Sequence, residues 1–132
     1  MEILIKLLAA GGIMGVLDAI WLKIGAKYVY RPEIGQLLLD KPNMGAAILF
    51  YVIYLVGVIV FVINPALEKD SWTHALVYGA FFGFVAYATY DLTNLATIKG
   101  FSVKVVAIDL LWGTLLTATV AVGSFWIVKM LY

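Results

Sequence analysis

Residues 44–63, MGAAILFYVIYLVGVIVFVI, form an apolar run without a charged side chain. About 20 apolar residues in an α-helix cross the roughly 30 Å hydrocarbon core of a bilayer, so this run predicts a transmembrane helix. Asn64-Pro65 follows directly, and proline lacks the backbone N–H needed to continue a helix. The sequence therefore predicts that this helix ends at Ile63.

Three further apolar runs have similar lengths, from about Ile3 to Ile24, Trp72 to Ala96, and Ser102 to Met130. Only a tight Lys99-Gly100 turn separates the last two, which predicts an antiparallel helical hairpin. The four runs use most of the chain and leave short connections. The predicted fold is all-α, a polytopic four-transmembrane-helix bundle in which residues 1–132 form one domain.

The longest connection, residues 25–43, contains the segment 31–38, RPEIGQLL. Its proline at a first helical position and its apolar spacing predict a short amphipathic helix on the membrane surface between helices 1 and 2. Lys6 before the first apolar run resembles the start of a signal peptide, but the run has no clear cleavage site. We expect it to be retained as the first helix.

The composition excludes a water-soluble domain. Hydrophobic residues make up 64% of the chain and charged residues 13%, against about 45–50% and about 25% in soluble domains. The net charge of +1 offers no basic surface for nucleic acid, so the expected partner is the lipid bilayer. Cysteine is absent and His74 is the only histidine, so we expect no metal ion and no cofactor.

Lysine and arginine favour one side of the bundle, and the positive-inside tendency places that side in the cytoplasm. The sequence thus predicts a multi-pass protein of the bacterial inner membrane with both termini extracytoplasmic. The richer side carries Lys23, Lys27, Arg31, Lys41, Lys99 and Lys104, and the other side carries Lys6, Lys69 and Lys129.

Three aspartates, Asp18, Asp91 and Asp109, lie inside the apolar helices. A carboxylate there costs at least a few kcal/mol to insert, so such residues usually face the bundle interior and serve a function. Because helix direction alternates, all three are predicted at similar depth on one side. If they converge without cations, they cannot all be ionised in a low dielectric, and at least one holds a proton near neutral pH. This pattern predicts a proton-handling or cation-binding site.

Small residues share helix faces with these aspartates. Gly79, Gly83, Tyr87 and Asp91 recur every four residues, and Asn94 extends the same stripe. Glycines at this spacing let helix backbones approach closely. The glycines predicted to pack helices are Gly11, Gly15, Gly79, Gly83 and Gly113.

The motif Asp-x-x-Trp occurs twice, at Asp18–Trp21 and at Asp109–Trp112, on helices of opposite direction. Residues three apart share a helix face, so each carboxylate is expected to have an indole beside it, either as an N–H donor or as an aromatic face for a cation. The predicted ligand- or proton-binding residues are Asp18, Trp21, Tyr87, Asp91, Thr93, Asn94, Asp109 and Trp112.

Structural roles for the aspartates remain open at this point. Asp91 could be held by hydrogen bonds that glue helices together. Asp18 and Asp109 could form interfacial salt bridges with long basic side chains. The groups in question are Tyr90, Thr93 and Asn94 for Asp91, and Lys23, Lys27, Arg31 and Lys104 for the other two.

Two Asp-x-x-Trp segments and the run 89–94, TYDLTN, resemble a family of small bacterial membrane proteins termed domain of unknown function 2177. The resemblance covers essentially the whole chain, and the run 89–94 is its most specific part. It implies four membrane helices and supplies no activity.

Three functions are compatible with these features. The favoured one is binding or transport of a small solute, a cation or protons in a three-aspartate pocket, and a homodimer would widen the narrow path through four helices. The second is a membrane enzyme that acts on a lipid or isoprenoid with an aspartate as general acid. No nucleophile–base pair or phosphate-binding loop supports catalysis. The third is a non-catalytic assembly subunit.

Overall fold

The computed structural model of the chain describes residues 2–37 and 43–131. Its four long helices are α1 (Glu2–Ile34), α2 (Met44–Glu68), α3 (Trp72–Thr97) and α4 (Val103–Leu131). Each is long and apolar enough to cross a membrane. The predicted all-α bundle with four transmembrane helices is confirmed.

α1 is longer than the apolar run predicts. An α-helix over Glu2–Gly25 passes into a π-helical turn at Ala26–Tyr30 and a further α-turn at Arg31–Ile34. The predicted helix after Tyr30 is thus present over Arg31–Ile34 but continues the first span. The π turn adds one residue, which rotates all that follows by about 100°. Residue 38 of the predicted segment lies outside the described residues.

α2 does not end at Ile63, so that prediction is wrong. An α-helix over Met44–Val58 continues through a π-helical turn at Ile59–Ile63 and an α-turn at Asn64–Glu68. The Asn64 N–H donates to the carbonyl oxygen of Ile59, five residues earlier. Pro65 then occupies the first turn of the next segment, where its missing N–H needs no partner.

The predicted hairpin of α3 and α4 is confirmed, with its turn at Gly100 in the left-handed region (φ +78°). Ser102 caps α4, because its hydroxyl accepts a hydrogen bond from the Val105 N–H at 3.2 Å. The same hydroxyl donates to Glu33 at 2.6 Å, which ties the end of α1 to this turn.

Glycines bring α3 and α4 into close contact. A Cβ added at Gly79 would lie 2.8 Å from the Cβ of Ala121. A Cβ added at Gly83 would lie 2.6 Å from the Thr117 hydroxyl and would also overlap the carbonyl oxygen of Gly113. Only glycine allows these two backbones to approach so closely.

The predicted close packing through Gly11 and Gly15 is not seen. Gly15 is exposed, and a Cβ added there would meet nothing within 4 Å. At Gly11 the added Cβ would make an ordinary 3.4 Å contact with Leu55. The reason is rotational, since α1 buries the neighbouring face that bears Ala10 and Met14.

α2 packs into the bundle most closely from Tyr54 onward. Val58, Ile59, Val62 and Ile63 are almost completely buried there. Over residues 44–50, by contrast, only Ala47 is half-buried and the others are exposed. Residues 44–50 of α2 therefore stand away from the other helices, and a space is left beside the end of this segment.

Candidate functional site

The space beside Phe50 and Tyr51 of α2 is a partly open cavity of about 770 Å³. All four helices contribute to it, together with the extension of α1 beyond Gly25. Its charged lining residues are Asp18, Arg31 and Asp109, and its aromatic ones are Trp21, Tyr30, Phe50, Tyr51, Tyr87, Tyr90, Phe101 and Trp112.

Asp18 lies half-buried at the wall that α1 contributes. Its carboxylate accepts a hydrogen bond from the Tyr51 hydroxyl of α2. It also accepts a long hydrogen bond of 3.4 Å from the indole N–H of Trp112 on α4. Both donors are neutral, so they satisfy oxygen atoms but would not balance a negative charge on Asp18.

Asp109 is more deeply placed, with only 6% of its surface exposed. Its carboxylate accepts a hydrogen bond from the Tyr30 hydroxyl. The Tyr30 oxygen in turn accepts a hydrogen bond of 2.9 Å from the indole N–H of Trp21. A relay of two neutral donors therefore runs from Trp21 through Tyr30 to Asp109.

The two Asp-x-x-Trp motifs exchange partners. Trp112 of the second motif reaches Asp18 of the first, and Trp21 of the first reaches Asp109 through Tyr30. Between them the two indole rings stack, with centroids 4.7 Å apart and planes 12° from parallel. This crossing follows from direction, because on antiparallel helices the aspartate of one motif lies level with the tryptophan of the other.

Asp91 does not line the cavity but lies directly behind Asp109. The close packing of α3 on α4 continues from Gly83 to Tyr87, whose ring covers Gly113. One step of four residues further along each helix brings Asp91 against Asp109, and their carboxyl groups are neighbours. Asp91 has no exposed surface.

Thr93 and Asn94 lie outside the cavity. The Thr93 hydroxyl is exposed and donates to backbone carbonyl groups of its own helix, those of Thr89 and, at 3.0 Å, Tyr90. Of the eight predicted binding residues, the cavity brings together Asp18, Trp21, Tyr87, Asp109 and Trp112.

Neither the salt bridges considered for Asp18 and Asp109 nor the hydrogen bonds considered for Asp91 are present among the described residues. Within residues 2–37 and 43–131, the ion pairs are Lys6–Glu2, at 3.0 Å, and Lys129–Asp70. Both lie at the opposite end of the bundle. The carboxylate of Asp91 accepts no hydrogen bond from any described residue, including Tyr90, Thr93 and Asn94.

Sequence reasoning missed Tyr51 and Tyr30. Tyr51 stands in the most apolar run of the chain, where a phenolic hydroxyl needs a partner. That requirement was a usable signal. Tyr30 had no such signal, because the π turn of α1 sets its direction.

The cavity combines a negative interior with aromatic walls. Asp18 and Asp109 supply carboxyl groups, while Trp21, Trp112 and the tyrosines line the walls beside them. Arg31, an exposed residue, lies on the lining at the end of α1. Carboxylates and ring faces both attract cations, and the apolar lining suits a hydrocarbon body.

Among known protein families, the chain matches the model described as predicted membrane protein, DUF2177, over residues 3–126. The family resemblance seen in the sequence is therefore confirmed. No curated protein and no solved structure matches the chain.

Proposed function

The chain belongs to the DUF2177 family of predicted membrane proteins, and we propose that it binds a small organic cation with an apolar body. The supporting observation is the cavity, in which Asp18 and Asp109 are held by neutral donors among aromatic rings. A membrane protein with such a pocket can take up amphiphilic cations from the bilayer or from water.

The hydrogen-bond partners of Asp18 and Asp109 are all neutral. Tyr51 and Trp112 on Asp18, and Tyr30 on Asp109, contribute hydrogen bonds but no positive charge. An ionised carboxylate without a counter-charge is costly in a low dielectric. A bound cation would offset that cost, so the site favours a positively charged ligand.

The aromatic walls of the cavity also favour a cation. A cation over a tryptophan or tyrosine face gains about 0.5–2 kcal/mol, with the larger value where water is excluded. Trp21 and Trp112 stack on each other, so each can offer only its outer face to a ligand, and Tyr87 lines the same cavity beside the carboxylates. The cavity of about 770 Å³ lies within the range of roughly 300–1,000 Å³ typical of small-molecule sites.

The opening of the cavity beside Phe50 suits a ligand with an apolar body. Phe50 lines the cavity and is 49% exposed, at the end of the segment 44–50 of α2 that stands away from the bundle. A ligand that partitions into the membrane could enter there, which agrees with an apolar body. By the positive-inside tendency, we place this opening in the cytoplasmic half of a bacterial inner membrane, with both termini outside.

The cavity supports ligand binding, but the rest of the bundle is closely packed and offers no continuous path for transport through the described residues. Beyond Asp18 the bundle narrows at Tyr54 and Thr117, whose buried hydroxyls share a hydrogen bond of 2.6 Å. Gly79 and Gly83 then pack tightly on α4. Transport would require a second conformation that opens this half, within one chain or in a homodimer.

Tryptophan fluorescence provides the test, after Trp72 and Trp126 have been replaced by Phe so that only the cavity indoles report. Benzyltrimethylammonium should change this emission in a saturable way, and Asp18→Asn should weaken its binding at least tenfold. Glu68→Gln is the matched control, because it removes an exposed carboxylate outside the cavity. Equal binding by both variants, or none by the parent protein, would refute the proposal.

A lipid-directed enzyme is the second candidate, and the partly open, mainly apolar and aromatic lining beside Asp109 favours it. In this case Asp109 would act as a general acid on a lipid or isoprenoid in the cavity. Mass spectrometry of lipid extracted after incubation with the protein tests this candidate. Products that form with wild type and not with Asp109→Asn would support the enzyme over the binding protein.

A further inference from the structure

Asp91 has a chemical environment that cation binding in the cavity leaves unexplained. Its side chain has no exposed surface, and neither carboxylate oxygen accepts a hydrogen bond from a described residue. An isolated ionised carboxylate in such a place would be strongly destabilising. The group needs neutralisation, by a cation held next to it, by a proton of its own or by a shared proton.

The Asp109 carboxyl is the polar neighbour that can share it. The regular packing of α3 on α4 through Gly83 and Tyr87 places Asp91 against Asp109. Two ionised carboxylates in contact repel, whereas one proton between them makes a hydrogen bond and removes one negative charge. The pair is then an acid–carboxylate couple with one net negative charge.

The groups that face the couple do not replace this proton. Tyr30 donates a neutral hydrogen bond to Asp109 from the end of α1. Arg31 lines the cavity but forms no ion pair with either aspartate within the described part of the chain. The titratable or charged groups around the couple are Asp18, Tyr30 and Arg31 from α1, Tyr51 and Tyr54 from α2, and Tyr87 and Tyr90 from α3.

We propose that Asp91 and Asp109 share a single proton and that an organic cation bound at Asp109 displaces it. This inference rests on the proposed cation binding. Asp109 lines the cavity whereas Asp91 does not, so one member of the couple meets the ligand and the other stays behind it. The site would thus exchange a proton for a cation.

The exchange is balanced in charge and atoms. The O–H bond of the shared proton breaks, and its electron pair stays on the carboxylate. The proton leaves through the cavity to water, and the cation takes over the neutralisation of the couple. One positive charge leaves as one enters, so the buried site keeps its net charge.

The first test uses benzyltrimethylammonium, which carries no acidic proton. Any proton that the buffer takes up on binding must therefore come from the protein. Calorimetric titration in two buffers of different ionisation enthalpy counts the protons released per bound cation. Wild type should release about one, and its dissociation constant should rise about tenfold for each pH unit lowered. Benzyl alcohol is the neutral control and should release none.

The informative variant is Asp91→Asn, which keeps the shape and can donate an amide N–H to an ionised Asp109. It should bind the cation without proton release, and its dissociation constant should stay level as the pH falls. At acid pH it should therefore bind at least tenfold more tightly than wild type. Proton release that persists in this variant would overturn the exchange.

Infrared spectroscopy of the ligand-free protein separates the two proposals. A protonated-carboxyl band at neutral pH that disappears in Asp91→Asn would support the shared proton without any ligand. Binding without proton release in wild type would overturn the exchange and leave the proposed function standing. The band without any binding would refute the proposed function, and with it the exchange, while retaining the carboxyl couple. No band in wild type would overturn the couple.

Discussion

Substitution of Gly83 by alanine should destabilise the bundle by an amount that the structure sets. The new Cβ would lie 2.6 Å from the Thr117 hydroxyl and 2.8 Å from the Thr117 Cβ, and closer still to the Gly113 carbonyl oxygen. Overpacking typically costs about 1–3 kcal/mol. The upper part of that range applies here, because the obstructing atom belongs to the helix backbone and cannot rotate away.

Gly15→Ala is the matched control on another membrane helix. No atom lies within 4 Å of the added Cβ, and alanine restricts the unfolded chain more than glycine, which is worth about 0.5–1 kcal/mol. This variant should therefore be as stable as wild type or slightly more stable. Because the gain from replacing a helical glycine applies at both positions, the two alanine variants should differ by the overpacking cost, roughly 2–3 kcal/mol.

The free energy of unfolding of both variants can be measured by circular dichroism as the fraction of sodium dodecyl sulfate in mixed micelles is raised. If Gly83→Ala is as stable as Gly15→Ala, α3 and α4 do not make the close contact described above. The register that places Asp91 against Asp109 would then lose its basis.

Three further predictions concern individual groups of the site. Tyr54→Phe removes the buried hydrogen bond to Thr117 and should cost about 1–3 kcal/mol of unfolding free energy, whereas Tyr28→Phe, at an exposed position, should cost almost nothing. Tyr30→Phe deprives Asp109 of its donor and should lower thermal stability, while leaving the stacked indoles in contact as judged by near-ultraviolet circular dichroism. Because the chain has no native cysteine, Ala26→Cys in the cavity wall can be labelled selectively with a maleimide. Benzyltrimethylammonium should slow this labelling severalfold and should leave the labelling of Ala107→Cys, outside the cavity, unchanged. Equal protection of both sites would contradict the location of the ligand.

The spans could be predicted because membrane insertion depends on local hydropathy. The run 44–63 identifies a membrane helix without knowledge of its neighbours. The end of that helix was mispredicted at Asn64-Pro65, because after the π turn Pro65 stands in the first turn of a new α-segment, where its missing N–H needs no partner. A π turn adjusts to packing and leaves no clear mark in composition.

Glycine spacing predicted one helix contact and failed at another. The same pattern occurs at Gly79–Gly83 and at Gly11–Gly15, yet only the first pair lies in a close helix–helix interface. Spacing defines a stripe on a helix, but the rotation of that helix against its neighbours decides whether the stripe is buried. α1 buries the adjacent face with Ala10 and Met14 instead.

The sequence by itself determined the membrane location, the number of spans and the level of the three aspartates, because these depend on hydropathy along the chain and on alternating helix direction. Only the tertiary structure decided that Trp112 serves Asp18, that Trp21 reaches Asp109 through Tyr30, and that Asp91 stands behind Asp109 without lining the cavity. Those relations depend on helix rotation, on interhelical register and on one π turn. Such quantities arise from side-chain packing between distant segments, which periodicity along one helix does not specify.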